Sequence, residues 1–490
     1  MKLFLRCSLV PLLLLSNSCA TLFPSRNYDE AINRLQKSID AILEDSIFVS
    51  AHAGIKIVSL TDERVLYERD SKVLFHPASN LKLLTSAATL HALGTNYKFR
   101  TALYLDSLNA DGTVVGNLFI KGFGNPDLTM KDLKSMIEQL RTGGVRKVQG
   151  GIVCDVSYFD DLYWGKGWMW DDEPSFYEAF ISPLSINDNC VRVIVGPGKR
   201  IGDSVLVRLD PESKFLAIVN KGFTGADTSE NTLDVSREFK IRMNTIVVEG
   251  TLPHSSRERE FVLSVWHPEV YAAALLREEL ERQGVKVLGQ TRMGIVDTQA
   301  REVVLHEWPI DSVIINLNKT SDNLSAENLL KVVGAEKRGT PGSAAKGISV
   351  VNEFLSSSGI DTTSYLMVDG SGVSHYNLIN ADTYARLLSA VYRHKGIFDL
   401  FYTSLPIAGV DGTLQNRMKE TAAAGKVRAK TGTISGVSTL SGYAQTADGD
   451  TLAFSILMDH FTGSSKPYRD AQDKIAELLS RFSRYLALRN

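Results

Sequence analysis

The stretch Phe75–Gly94, "FHPASNLKLLTSAATLHALG", puts Ser79 and Lys82 three residues apart where a loop turns into an apolar helix. Pro77 suits the last loop position or the first turn, apolar residues recur at helical spacing from Leu81 onward, and Gly94 supplies a stop. Residues three apart on a helix share a face, so the Ser79 hydroxyl and the Lys82 amine can lie within reach of one another. A lone Ser-x-x-Lys is also a common accident, and Ser343-Ala344-Ala345-Lys346 matches the same pattern. What else the chain carries decides between an activated serine and an ordinary solvated pair.

The chain has 490 residues, enough on length for about three domains. Lys plus Arg (54) against Asp plus Glu (56) leaves a net charge of -2, so no global field argues for a nucleic-acid partner. Hydrophobic content of 44% and charged content of 22% are those of a globular protein. No fixed-period repeat or low-complexity tract interrupts it.

Residues 1–19 read as a signal peptide: Lys2 and Arg6 precede or interrupt an apolar run through Leu15, followed by "SNSCA". Cleavage before Cys19 would leave a thiol for lipid attachment, as in a bacterial lipoprotein signal, although Ser16 stands where an aliphatic residue is usual. Ordinary cleavage after Ser18 or Ala20 is the other route. Both predict an exported, periplasmic protein, membrane-attached only through a lipid at Cys19. No later segment approaches the ~18 uninterrupted apolar residues of a second span. Of four cysteines, Cys154 and Cys190 remain in the body of the chain; a disulfide between them is permitted outside the cytoplasm, and two buried thiols are the alternative.

Periodicity gives a helix over Tyr28–Asp45, then strands "AGIKIVSL" and "RVLYE", then the Ser79 helix. From Phe99 to Asp311 short β-like runs dominate, broken by helices at Met130–Leu140 and Pro268–Gln283. Helical patterns return at Asn323–Val333, Ala344–Ser356 and Ala381–Tyr392, before strand-like "KVRAKTG", "STLSGYAQT" and "TLAFSILMD" and a terminal helix through Leu488. This predicts an α/β (α+β) catalytic domain in two parts, 28–98 and 312–490, with an antiparallel sheet between helices. A large β-rich insertion at 99–311, read as two nested domains, separates the parts.

Two further motifs follow Ser79-Asn80-Leu81-Lys82: Ser321-Asp322-Asn323, between strand-like "VIINLN" and a helix start, and Lys430-Thr431-Gly432 at the end of a strand. Ser185-Ile186-Asn187 and Ser107-Leu108-Asn109 also fit the second pattern, so order and context pick out Ser321; the lysine motif occurs once. Taken together and in this order, the three resemble the signature of penicillin-interactive serine enzymes. The gap from Ser79 to Ser321 is 321 minus 79, or 242 residues, far more than a β-lactamase needs, and no Glu-x-x-Leu-Asn segment is present. The chain is similar instead to the class C low-molecular-mass penicillin-binding proteins, the D-alanyl-D-alanine carboxypeptidase/endopeptidase family. Segments such as "SPLSINDNCV", "SDNLSAENLLKVVG", "DGSGVSHYNLI", "LPIAGVDGTLQNRM" and "VRAKTGTISGVSTLSGY" carry the likeness over nearly all of the mature chain.

The resemblance implies a penicillin-recognising serine transferase fold and an acyl-enzyme on Ser79, formed with peptidoglycan stem peptides ending in D-Ala-D-Ala and with β-lactam antibiotics, without a cofactor. Lys82 would be the base, its amine lowered by burial and by Lys430; Ser321 would relay a proton to the leaving amine and Asn323 would hold Lys82 and the substrate amide. The family places the oxyanion on the N–H groups of Ser79 and Thr433, and the terminal carboxylate on Lys430, Thr431 and Thr433, with Gly432 between them. Where family members often have Arg to meet a diaminopimelate tip, this chain has His375, which predicts a weaker preference for that carboxylate. A β-lactamase or esterase of the same fold and a non-enzymatic wall-binding scaffold are the rival readings. Aromatic residues between Tyr158 and Phe180 read as packing of the insertion or the cleft rim rather than a glycan surface. The nine histidines show no ligand spacing, so no metal site is indicated.

Overall fold

In "TLAFSILMD" successive side chains fall on opposite faces, as the two-residue period of a strand requires. Phe454, Ile456 and Met458 pack with Ile32, Ile39, Ile475 and Leu479, whereas Ala453 and Leu457 pack with Leu84, Leu387 and Leu388. One strand thus reports the whole layering: a sheet with helices against both faces. In this computed structural model residues 22–485 are described, with side chains from Tyr28 onward. The expected leader at 1–19, with Cys19, lies outside the described residues.

The sheet has five antiparallel strands in the order Val427–Ile434, Val437–Gln445, Thr451–Asp459, His52–Ser59, Val65–Arg69. Helices Leu22–Leu43 and Lys466–Arg481 cover one face; helices Lys82–Leu93 and Ala381–Arg393 cover the other. The last helix ends at Arg481, short of Leu488, because Phe482 turns to extended backbone at its C-cap. Helix Lys82–Leu93 is buried from Lys82 to Leu90, which is why its sequence reads as a nearly continuous apolar run. Gly94 ends it at φ 81, a conformation glycine adopts without penalty.

A correction concerns "VIINLN", read above as a strand. It lies inside the helix Ile310–Thr320. Val313, Ile314 and Ile315 favour strands intrinsically, but Ile310, Val313, Ile314 and Leu317 share one helical face and all are buried, so tertiary packing overrides propensity. The motif at Ser321 therefore joins two helices, the second being Asn323–Arg338.

The β-rich segment leaves and returns on paired strands, Lys98–Leu108 and Arg301–Pro309, with Phe99 opposite Trp308. Both belong to a seven-stranded sheet that, with smaller sheets, shares one apolar core with helices Met130–Thr142 and Pro268–Arg282. Tyr158, Phe159 and Trp168 instead join the core of the helical layer behind Ser79, while Trp170, Phe176 and Tyr177 stay exposed. The aromatic cluster is thus divided between packing and rim. Cys154 and Cys190 are both free and buried, so no disulfide forms.

Candidate active site

Ser79 sits in a 3₁₀ turn, Ala78–Leu81, that leads directly into the helix beginning at Lys82. The turn is tight: Ala78 has φ 44, in the left-handed region that residues with a β-carbon seldom adopt. Gly372 packs so closely on it that a β-carbon there would lie 1.9 Å from the Ala78 carbonyl oxygen. Across the cleft, a β-carbon on Gly432 would be 3.0 Å from the Ser79 nitrogen and 2.9 Å from the Pro77 carbonyl oxygen. The bare backbone at Gly432 is what lets the strand and the serine turn touch.

The three expected motifs converge. Lys82 Nζ lies 2.9 Å from Ser79 Oγ, 2.5 Å from Asn323 Oδ1 and 2.8 Å from the Ser371 carbonyl oxygen. Lys430 Nζ donates to Ser321 Oγ at 2.8 Å and to the Thr431 carbonyl at 2.9 Å. Both lysine side chains are fully buried. Burial pushes the Lys82 amine down to about 8, against the opposing pull of Asp322, Asp369, Glu327 and Glu178. Lys430 falls well below its ordinary value, first through burial and then through the neighbouring Lys82 cation. Desolvation, more than the second cation expected from sequence, is what depresses Lys82.

Ser321 closes the helix Ile310–Thr320 at φ 66. Asp322 then caps the next helix, accepting from the Leu324 and Ser325 N–H groups. That cap fixes the start of the helix from which Asn323 reaches Lys82. The alternative motif at Ser343 is structural: the serine caps the helix Ala344–Ser357, and Lys346 donates to the Gly339 and Pro341 carbonyls on the surface.

The strand Val427–Ile434 is the edge of its sheet, and its outer side is covered only near the start, where the Ala429 N–H donates to the Pro406 carbonyl. Backbone groups alternate sides every second residue, so the N–H groups of Thr431 and Thr433 point outward as Ala429 does. Beyond Ala429, no strand among the described residues pairs with this side. A cleft of about 740 Å³ opens there, lined by Ser79, Ser321, Asn323, Thr431, Gly432 and Thr433, with His375 on its wall. Lys430 is not among the residues that line it and is fully buried.

Several residues of the site carried no readable motif. The Tyr177 carbonyl, from the β-rich segment, accepts the Asn323 Nδ2–H at 2.7 Å. Two buried carboxylates organise the loop that supplies Ser371: Glu327 accepts from the Gly370 and Ser371 N–H groups, and Asp369 accepts from Gly372, Ser374 and Trp168 Nε1. Burial, with Asp369 nearby, raises Glu327 to about 7. Glu178, on the cleft wall, is likewise raised to about 7, mainly by burial. Thr413 and Arg417 complete the wall near Thr431, whose hydroxyl donates to Thr413 Oγ1 at 2.8 Å.

Comparison with known proteins matches this geometry to a group. The chain is 36% identical over 471 residues to the D-alanyl-D-alanine carboxypeptidase of Actinomadura sp. (strain R39), covering 93% of this chain and 86% of that one. It is 27% identical to D-alanyl-D-alanine carboxypeptidase DacB of Haemophilus influenzae, covering 82% and 84% respectively. The crystal structure of penicillin binding protein 4 (dacB) from Haemophilus influenzae superposes with a TM-score of 0.81 at 24% identity, over 91% of this chain and 99% of that one, which shows the fold. Residues 35–482 match the D-Ala-D-Ala carboxypeptidase 3 (S13) family, and the chain is a member of that family.

Proposed function

We propose that this protein is an exported serine DD-peptidase that cleaves peptidoglycan stem peptides at D-Ala-D-Ala through an acyl-enzyme on Ser79, and that β-lactams inhibit it by acylating the same residue. One observation carries the reading. Lys82 Nζ has three neighbours, and two of them, Asn323 Oδ1 and the Ser371 carbonyl, can only accept. A neutral amine has two N–H groups and one lone pair. Those two acceptors take the N–H groups, so the lone pair is left for the Ser79 hydroxyl at 2.9 Å. The amine is therefore a base aimed at the nucleophile.

Lys82 takes the Ser79 proton as Oγ adds to the carbonyl carbon of the penultimate D-Ala. The oxyanion meets the N–H groups of Ser79 and Thr433, and the extended peptide pairs with the free edge at Thr431 and Thr433. As the C–N bond breaks, Ser321, held by Lys430, relays to the leaving amine the proton that Lys82 took from Ser79, so that the hydroxyl and the Lys82 amine both end neutral; water, deprotonated by the same amine, then adds to the acyl carbon and the proton returns to Ser79 Oγ as it leaves. Thr431 and Thr433 receive the terminal carboxylate, with Gly432 keeping the edge close to Ser79. His375 faces the stem side chain. Export rests on the leader sequence, and attachment to a membrane on lipidation of Cys19; no helix among the described residues is long and apolar enough to cross a membrane.

Fluorescent penicillin with wild type and Ser79→Ala, alongside D-Ala release from a D-Ala-D-Ala peptide, tests the reading. Stable labelling and D-Ala release that both vanish in the variant are expected. Rapid loss of label with β-lactam turnover would favour a β-lactamase, and no labelling of the wild type a scaffold.

A further inference from the structure

The strand His52–Ser59 begins where Thr451–Asp459 ends, because the two run antiparallel with His52 opposite Asp459. Three groups of metal-ligand type meet there, although His52 stands most of the chain away from the adjacent Asp459 and His460. Ligand atoms of His52, Asp459 and His460 all lie within 4.8 Å of one another. The two imidazoles are stacked with centroids 4.9 Å apart, and His460 Nδ1 is 2.7 Å from Asp459 Oδ1.

The charge balance at this corner is unusual. The Asp459 side chain is only 2% exposed, yet among the described residues no lysine or arginine pairs with it. Its other oxygen meets the His76 backbone N–H at 3.4 Å. A buried carboxylate is ordinarily paired with a cation or bound to a metal. A second sign comes from His76, whose ring centroid is 6.4 Å from that of His460 and whose buried Nδ1 has no hydrogen-bond partner.

We propose that His52, Asp459 and His460 form a site for a divalent transition metal of the zinc class, with an open coordination position beside His76. Two imidazoles and a carboxylate suit Zn²⁺, whereas Mg²⁺ and Ca²⁺ prefer all-oxygen sets. Bonds of about 2.0–2.2 Å require tetrahedral ligand atoms to close to about 3.5 Å. That adjustment falls to the two histidines, both exposed, while Asp459 is fixed by its burial. The ion ties the first strand of the sheet to the end of the last, opposite Val437 and beside the segment that leads through Pro77 to Ser79.

Cobalt(II) added to the metal-free full chain, followed by d–d absorption, and zinc competition against a chromophoric chelator test this. One equivalent is expected to bind, with at least tenfold weaker affinity in His52→Ala and in His460→Asn, the asparagine chosen because it tolerates the left-handed backbone at φ 61. Zinc should raise the melting temperature of the wild type and not of His52→Ala, while fluorescent-penicillin labelling of His52→Ala shows that it is folded. A wild type that takes no metal, or binding unchanged in both variants, overturns the proposal. So does binding that disappears instead in His91→Ala, which removes the separate surface pair formed by His91 and His394.

Discussion

Asn323 is held from both ends: its Oδ1 accepts from Lys82, and its Nδ2 donates to the backbone carbonyl of Tyr177, a residue of the β-rich segment. That segment therefore reaches into the candidate active site and orients the carboxamide. Without the Tyr177 carbonyl, the amide could turn its N–H groups toward Lys82 and remove one of the two acceptors that leave the lone pair free. The loop carrying Tyr177 is anchored upstream by the buried Glu173–Arg237 ion pair. Glu173→Ala strands a buried arginine, which costs about 3–5 kcal/mol. The expected outcome is a lower melting temperature together with slowed acylation, measured by penicillin labelling rate, and a Glu173→Gln variant should recover part of both.

Acylation should depend on pH through Lys82. With its amine near 8, the neutral base is a minority at pH 7, so the acylation rate should rise about tenfold per unit below pH 8 and level off above it. Stopped-flow labelling between pH 5.5 and 9.5 checks the slope. Lys82→Ala should lose acylation by about 10²–10⁴-fold and lose that rise with it.

Ser321 separates backbone from chemistry. A β-carbon at φ 66 carries strain of about 1–3 kcal/mol, so Ser321→Gly should hold or raise the melting temperature while removing the hydroxyl on Lys430. Peptide turnover in this variant should fall by about 10²-fold or more. Asp322→Ala behaves oppositely: loss of the cap costs about 1 kcal/mol of stability. Calorimetry and D-Ala release distinguish the pair.

Gly432→Ala tests the closeness of the cleft walls. The new methyl group, 3.0 Å from the Ser79 nitrogen and 2.2 Å from Thr439 Oγ1, pushes the edge strand from the serine turn. Acylation should drop by an amount comparable to losing one oxyanion donor, about 2.7–4 kcal/mol in barrier, in a chain that still folds. A rate within threefold of wild type contradicts the assigned role of that edge.

His375→Arg addresses the substrate. His375 sits on the cleft wall near Val373 and Gly372. A guanidinium fork there should increase the preference for stem peptides with a free side-chain carboxylate over amidated ones, read as the ratio of their kcat/KM values.

How much of this was legible in the sequence depended on whether the signal was local. Alternation in "TLAFSILMD" and the apolar run after Ser79 report their own neighbourhoods, so the sheet and the serine helix could be read directly. "VIINLN" misled because β-branched residues there obey a helical packing stripe. Ser79, Lys82, Ser321, Asn323 and Lys430 meet in the structure as their spacing suggested, because hydroxyl–amine pairs leave side-chain motifs. The Ser371 and Tyr177 carbonyls leave none, since any residue can supply a carbonyl, and Glu327 looked like one more helix glutamate. His52 and Asp459 escaped for a different reason: only strand pairing makes them neighbours.

The pairing of His52–Ser59 with Thr451–Asp459 also bears on when the protein becomes competent. The edge carrying Thr433 is joined to the first hairpin only through that late strand, so a partly synthesised chain contains Ser79 long before it contains a stable wall to face it. Such contacts, spanning nearly the whole chain, form late and slowly. Acylating power should therefore arrive all at once, after nearly the entire polypeptide has emerged, and a chain truncated before Thr451 should leave Ser79 without its facing wall.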